Sequence, residues 1–129
     1  MIFLLLITFF GGVDEIGGNK ILIEDKGTKI FLDFGQSFAF GSEYFTGWLS
    51  PRAINGMDDY FEFGLLPMIP GLYAEAQLTS TDLTYQEPDI GAIFLSHAHF
   101  DHVAPICALV VKTRNKERMF TSLHLMLNV

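Results

Sequence analysis

Residues 89–102 read Asp89-Ile90-Gly91-Ala92-Ile93-Phe94-Leu95-Ser96-His97-Ala98-His99-Phe100-Asp101-His102. The first eight are mostly apolar and include branched and aromatic side chains, the composition of a strand buried on both faces. That strand runs straight into three histidines and an aspartate. Beyond them, Val103-Ala104-Pro105-Ile106-Cys107-Ala108-Leu109-Val110-Val111 predicts a helix with Pro105 in its first turn. A polar cluster on the loop between a strand and a helix is where α/β proteins commonly place their sites.

Upstream, Lys20-Ile21-Leu22-Ile23-Glu24 and Lys29-Ile30-Phe31-Leu32-Asp33-Phe34 flank Asp25-Lys26-Gly27-Thr28, which predicts a β-hairpin. The opening run Met1 to Phe10 is apolar throughout and predicts a buried strand. It lacks the basic start and small-residue cleavage site of a signal peptide. Gly11-Gly12, followed by Asp14 and Glu15, also stops it short of the ~20 residues that a membrane span needs. The stretch from Gly11 to Asn19 contains neither G-x-x-x-x-G-K-[ST] nor G-x-G-x-x-G, so its glycines read as tight turns and not as a phosphate loop. Residues 35–88, punctuated by glycine and proline, predict short helices or hairpins laid over the core.

The spacing of the cluster carries a chemical logic. On an extended segment, residues two apart point to one side, so His97 and His99 are placed to converge on one ion. Asp101 and His102 begin the next turn and point elsewhere, which suits a second ion. Two divalent ions about 3.5–4 Å apart share a hydroxide and clamp an oxyanion or phosphate. Imidazole with carboxylate and no thiolate fits zinc first, with manganese or iron as further options. The fourth histidine, His124, reads as an ordinary core or surface residue.

The chain has 129 residues, which is one domain, and at 50% hydrophobic and 18% charged it is not intrinsically disordered. The single cysteine, Cys107, excludes an internal disulfide and reads as a buried small hydrophobe. With no Asn-x-Ser/Thr acceptor, a reducing cytoplasmic setting is the default expectation. Net charge is -7, but residues 1–111 hold 14 acidic and 4 basic side chains, whereas residues 112–129 hold 1 and 4. The acidic body disfavours the phosphate contacts that dominate nucleic-acid affinity.

Ser96-His97-Ala98-His99-Phe100-Asp101-His102 resembles the signature of the metallo-β-lactamase fold superfamily. Asp33, at the end of the second hairpin strand, matches the superfamily's earlier aspartate, which supports the metal loop from behind its ligands. Gly11-Gly12 with Glu15-Ile16-Gly17-Gly18-Asn19 is similar to the β-CASP branch, which includes ribonuclease J-like enzymes that process RNA. Leu65 to Tyr73 is more loosely similar to a loop of the same proteins. The resemblance covers residues 1 to about 107. It implies an α/β, four-layer αβ/βα sandwich, two-metal hydrolysis of RNA phosphodiesters, and a lactone, thioester or other small ester as the alternative substrate. It further implies that His97 and His99 bind the first metal and that Asp101 and His102 bind the second. Asp101 would also orient or deprotonate the attacking water.

The family pattern continues with a third histidine, a bridging aspartate and a further histidine well downstream, and this sequence departs from it there. His124 follows His102 too soon, and no aspartate follows Asp101. Residues 1–111 are therefore expected to supply about the first half of the fold. Residues 112–129 are then an atypical tail of the kind that a truncation or frameshift leaves. A half-built sandwich would expose an apolar face, so self-association is expected, with a non-catalytic remnant as the competing description.

Overall fold

The computed structural model describes residues 4–39, 41–42, 44–45, 50–103, 109–111 and 118–119. Pro105, Cys107 and His124 lie outside them. Three strands form first: β1 (Leu5–Gly11), β2 (Lys20–Asp25) and β3 (Thr28–Phe34). β2 and β3 are joined by Lys26-Gly27, both at positive φ, the two-residue turn whose twist matches a hairpin. β4 (Ala92–Phe94) adds parallel to β3, giving the order β1-β2-β3-β4. Lys29 on β3 donates to the carboxylate of Asp89 just ahead of β4, which ties the two segments together.

Cross-strand partners share a face of a sheet. Thr8, Leu22, Phe31 and Ile93 form a row on one face, and Phe9, Ile21, Leu32 and Phe94 form a row on the other. The first face carries the core. Phe31 and Phe34 are fully buried and meet edge-on at 5.2 Å, joined by Leu22, Met57, Phe61, Leu66, Leu72, Tyr73, Leu78, Ile90 and Leu109. Residues 50–90 supply most of this cover, as expected, through the helix α1 (Asp58–Glu62) and 3-10 turns at Ala53–Asn55 and Glu75–Gln77. Buried Tyr73 donates its hydroxyl to the Pro67 carbonyl and stacks edge-on against Phe61, and burial pushes its hydroxyl pKa up.

The structure corrects three local expectations. The first strand forms, but it is not buried, because β1 ends the sheet and Leu5, Leu6, Ile7 and Phe9 are all about half exposed or more. The strand before the histidines is only three residues long, and Phe94 is 58% exposed, so it is an edge strand rather than one buried on both faces. The helix expected over 103–111 is placed differently: α2 (Phe100–Val103) starts earlier, and Val110–Val111 form a strand, β5, paired with β6 (Arg118–Met119). Val110 donates to the Leu72 carbonyl and Leu109 bridges to Tyr73, so extended pairing with the covering loop outweighs helical propensity at 109–111. Among the described residues, no helix is long and apolar enough to cross a membrane.

The cover is anchored by Asp59, which is buried and accepts from the backbone N–H, Nε and Nη2 of Arg52 and from Asn55 Nδ2. The Arg52 guanidinium and N–H hold this carboxyl well below the usual carboxylate range. A depressed carboxyl pKa stabilises the fold above the unfolded value of about 4, and that stability is lost as pH falls below it. Asp59→Asn is therefore expected to lower the melting temperature at pH 7 and to flatten its fall between pH 4 and pH 2.5. Thermal melts of both proteins across that range check this.

Candidate metal centre

The site forms where β3 and β4 end side by side. β3 carries a bulge: Lys20 pairs with Phe34 and Ile21 with Leu32, so Asp33 is the extra residue, at φ 56°. A bulged residue in the left-handed region leaves the ladder and re-aims its side chain, and aspartate tolerates that conformation better than most residues. The Asp33 carboxylate is thereby aimed at the histidine loop, where it accepts from the Ser96 backbone N–H at 2.7 Å. It also lies 2.8 Å from Ser96 Oγ and 2.8 Å from His102 Nδ1. Ser96 Oγ is in turn 3.0 Å from His97 Nδ1 and 3.1 Å from His102 Nδ1. Ser96 is the residue to which sequence reasoning gave no role in the site, although it begins the stretch that carries the resemblance.

His97, Asp101 and His102 each offer a ligand atom, and these atoms lie within 4.8 Å of one another. The His97 and His102 rings are 4.0 Å apart. His99 is exposed and stands outside this trio, with its ring 4.5 Å from that of His97. The grouping therefore differs from a division into a His97–His99 pair and an Asp101–His102 pair. Asp33, His102 and Asp101 are largely but not wholly buried.

Proton accounting shows what this geometry wants. A carboxylate only accepts, so His102 Nδ1 must carry the proton that faces Asp33. In a neutral ring Nε2 then bears a lone pair, yet it lies 3.1 Å from Asp101 Oδ2. His102 Nε2 and Asp101 Oδ2 are thus close enough to ligate one cation together. The donor set of two imidazoles and a carboxylate fits a divalent metal, and the Asp33–His102 bond is the arrangement that fixes the ring of a ligating histidine.

Glycines hold the loop in place. Gly18 N–H donates to the Asp101 carbonyl at 3.0 Å, and a Cβ on Gly17 would come within 2.7 Å of Asp101 Cβ. A Cβ on Gly35 would fall 1.7 Å from the Asp101 carbonyl oxygen. The turns read from Gly11 to Asn19 thus also make room for the backbone of a site residue.

Asp33→Asn keeps the size of the side chain but removes its charge and presents an amide to donors. For a zinc ion held by this donor set, the affinity is expected to fall about 10- to 100-fold, the usual cost of losing the partner behind a metal-binding histidine. Competition against a chromophoric chelator measures it.

No protein-family model and no curated protein matches the chain. Among solved structures, it is similar to a crystal structure described as a protein of unknown function from Enterococcus faecalis V583, at 29% identity and a TM-score of 0.49. The match covers 76% of this chain and 21% of the other, so this chain spans about a fifth of that protein's length.

Proposed function

We propose that His97, Asp101 and His102 hold a divalent cation, zinc first, as part of a metal-dependent hydrolase centre of metallo-β-lactamase type. The observation that carries this reading is their convergence within 4.8 Å, with His102 oriented by Asp33. Three protein ligands are the number that catalytic zinc takes, leaving a position for water or substrate. When bound, such an ion lowers the pKa of water and polarises a phosphoryl or carbonyl oxygen. Asp101 orients the attacking water and accepts its proton, while Asp33 holds the imidazole of His102 through Nδ1. Ser96, bonded to the Asp33 carboxylate and beside both rings, sets the position of His97. His99 stands beside this trio, with its ring 4.5 Å from that of His97.

Single-stranded RNA in a reducing, cytoplasmic compartment is the proposed substrate. The support is the resemblance of residues 96–102, Asp33 and the Gly11 to Asn19 stretch to the ribonuclease J-like branch. A small ester, lactone or thioester is the second reading, favoured by the 14 acidic and 4 basic residues of positions 1–111. The full chain is tested after zinc loading and dialysis against a mild chelator. We expect stoichiometric zinc, cleavage of labelled single-stranded RNA, and loss of both in His97→Ala and in Asp101→Ala. Binding to RNA should weaken steeply with salt, whereas turnover of a small ester should not. Cleavage at the wild-type rate by either variant refutes the assignment. Retained zinc without turnover leaves a metal site and removes the hydrolase reading for this chain by itself, and absence of zinc refutes the metal site in it.

A further inference from the structure

Lys20 opens β2 and is only 4% exposed, two residues before buried Leu22 and on the face that carries the core. Its neighbour on β1 is Gly11, and the missing side chain there leaves the room it needs. A Cβ on Gly11 would come 3.1 Å from Lys20 Nζ and 3.5 Å from Glu15 Oε1. The ammonium donates to the Gly18 carbonyl at 3.1 Å and lies 5.9 Å from the centre of the Phe34 ring. An ammonium has three protons to give, so these contacts leave donors over. Among the described residues, no carboxylate comes within 4.0 Å of it. Burial holds its pKa down, and the charge of Glu15 opposes that only in part. Lysine is almost never buried to this degree without a partner, because a desolvated charge is costly until an opposite charge offsets it.

The ammonium borders a cavity of about 240 Å³, whose walls include Phe10, Glu15, Ser37, Ala39 and Leu65. We propose that this cavity binds a small organic acid, with its carboxylate on Lys20 and its hydrocarbon part against Phe10, Ala39 and Leu65. Ser37 adds a hydroxyl that can donate to the same carboxylate. The volume lies below the ~300 Å³ at which drug-sized pockets begin, so the ligand is a small one. Glu15 decides the charge of the ligand. Its carboxylate accepts from the Gly12 N–H at 2.8 Å, which holds it on the loop rather than on the ammonium. One ammonium and one carboxylate in the same walls suit a single negative charge better than the two of a phosphate dianion. None of His97, Asp101 and His102 lines the cavity, so the assignment does not depend on the metal centre.

The test is a nitrogen-15 NMR titration of the full chain at pH 7 with butanoate, acetate, inorganic phosphate and butan-1-ol. Butanoate is expected to shift the amides of Gly18, Lys20 and Ser37 to saturation, with acetate and phosphate both weaker. Butan-1-ol has the same hydrocarbon chain without the charge and should leave these amides in place. Lys20→Met keeps the length of the side chain and should abolish binding. Glu15→Gln keeps an acceptor for Gly12 and should tighten binding several-fold. Absence of a saturating shift with butanoate overturns the proposal, as does an equal response to butan-1-ol, which marks an apolar hollow only. Tighter binding of phosphate than of butanoate overturns the carboxylate assignment. Shifts that vanish in His97→Ala belong to the metal centre and overturn it too. If Lys20→Met does not fold, Glu15→Gln decides alone, and unchanged or weaker affinity in that variant refutes the site.

Discussion

Replacing Gly35 with alanine is expected to abolish metal binding at the proposed His97, Asp101 and His102 centre and to lower the melting temperature by roughly 10 °C or more. Gly35 has an ordinary negative φ, so the backbone accepts alanine and the whole effect is steric. The new methyl would sit 1.7 Å from the Asp101 carbonyl oxygen, 2.2 Å from its carbon and 2.6 Å from the Cα of His102. All three are backbone atoms, and none can swing aside as a flexible side chain can. Relief requires the segment carrying Asp101 and His102 to move outward by more than an ångström, pulling His102 from Asp33 and Asp101 from the trio. Overpacking of this kind costs roughly 3 kcal/mol. Gly27→Ala is the contrasting variant. Its Cβ would meet nothing within 4 Å, and only the positive φ of 79° is strained. It should cost about 1 kcal/mol and leave zinc affinity unchanged. Paired zinc titrations and thermal melts of the two variants separate site geometry from turn strain. Equal zinc affinity in Gly35→Ala and wild type would show that Asp101 and His102 are not positioned from β3.

Phe31→Ala is expected to remove about 4 kcal/mol of stability, which for a domain of this size is a large part of the whole. The ring is fully buried, 5.2 Å from Phe34 edge-on and 6.1 Å from Phe10, and it lies two residues before Asp33 on the same strand. Its loss leaves a cavity under β3 at the point from which the bulge projects the carboxylate. The neighbouring Leu32 lies on the other face at 37% exposure, and Leu32→Ala should cost the folded chain itself about 1 kcal/mol. Denaturant unfolding of both variants checks the difference. Similar costs would place the sheet in the wrong register, because a slip of one residue exchanges the two faces.

The places where sequence and structure agree share one property: the deciding contacts are local. Lys26-Gly27 between two runs of branched residues leaves little alternative to a tight hairpin, and β2 and β3 form with the expected pairing. His97, Asp101 and His102 lie within six residues, so a single turn of helix after an extended segment brings them together wherever that segment lies. The membership of the trio was less legible. The extended pattern pairs His97 with His99, whereas α2, starting at Phe100, turns Asp101 and His102 back toward His97. Residues 109–111 show the same limit. Their apolar run suits a helix or a strand, and pairing with Tyr73 and Leu72, far away in the chain, decided for the strand.

By itself the sequence determined the hairpin, the strand that opens the fold, and the presence of a histidine–aspartate cluster at a strand end. Spacing and turn chemistry act over a few residues, and so these features do not depend on the rest of the chain. Only the tertiary structure decided that β4 lies parallel beside β3, that β1 is an exposed end of the sheet, and that Gly17, Gly18 and Gly35 close around Asp101. It also decided how Asp33 meets Ser96 and His102, across 63 and 69 residues of sequence. That contact depends on one extra residue in β3 at positive φ, and a bulge leaves no periodic mark in the amino-acid order because its cost is offset by partners that folding brings from elsewhere.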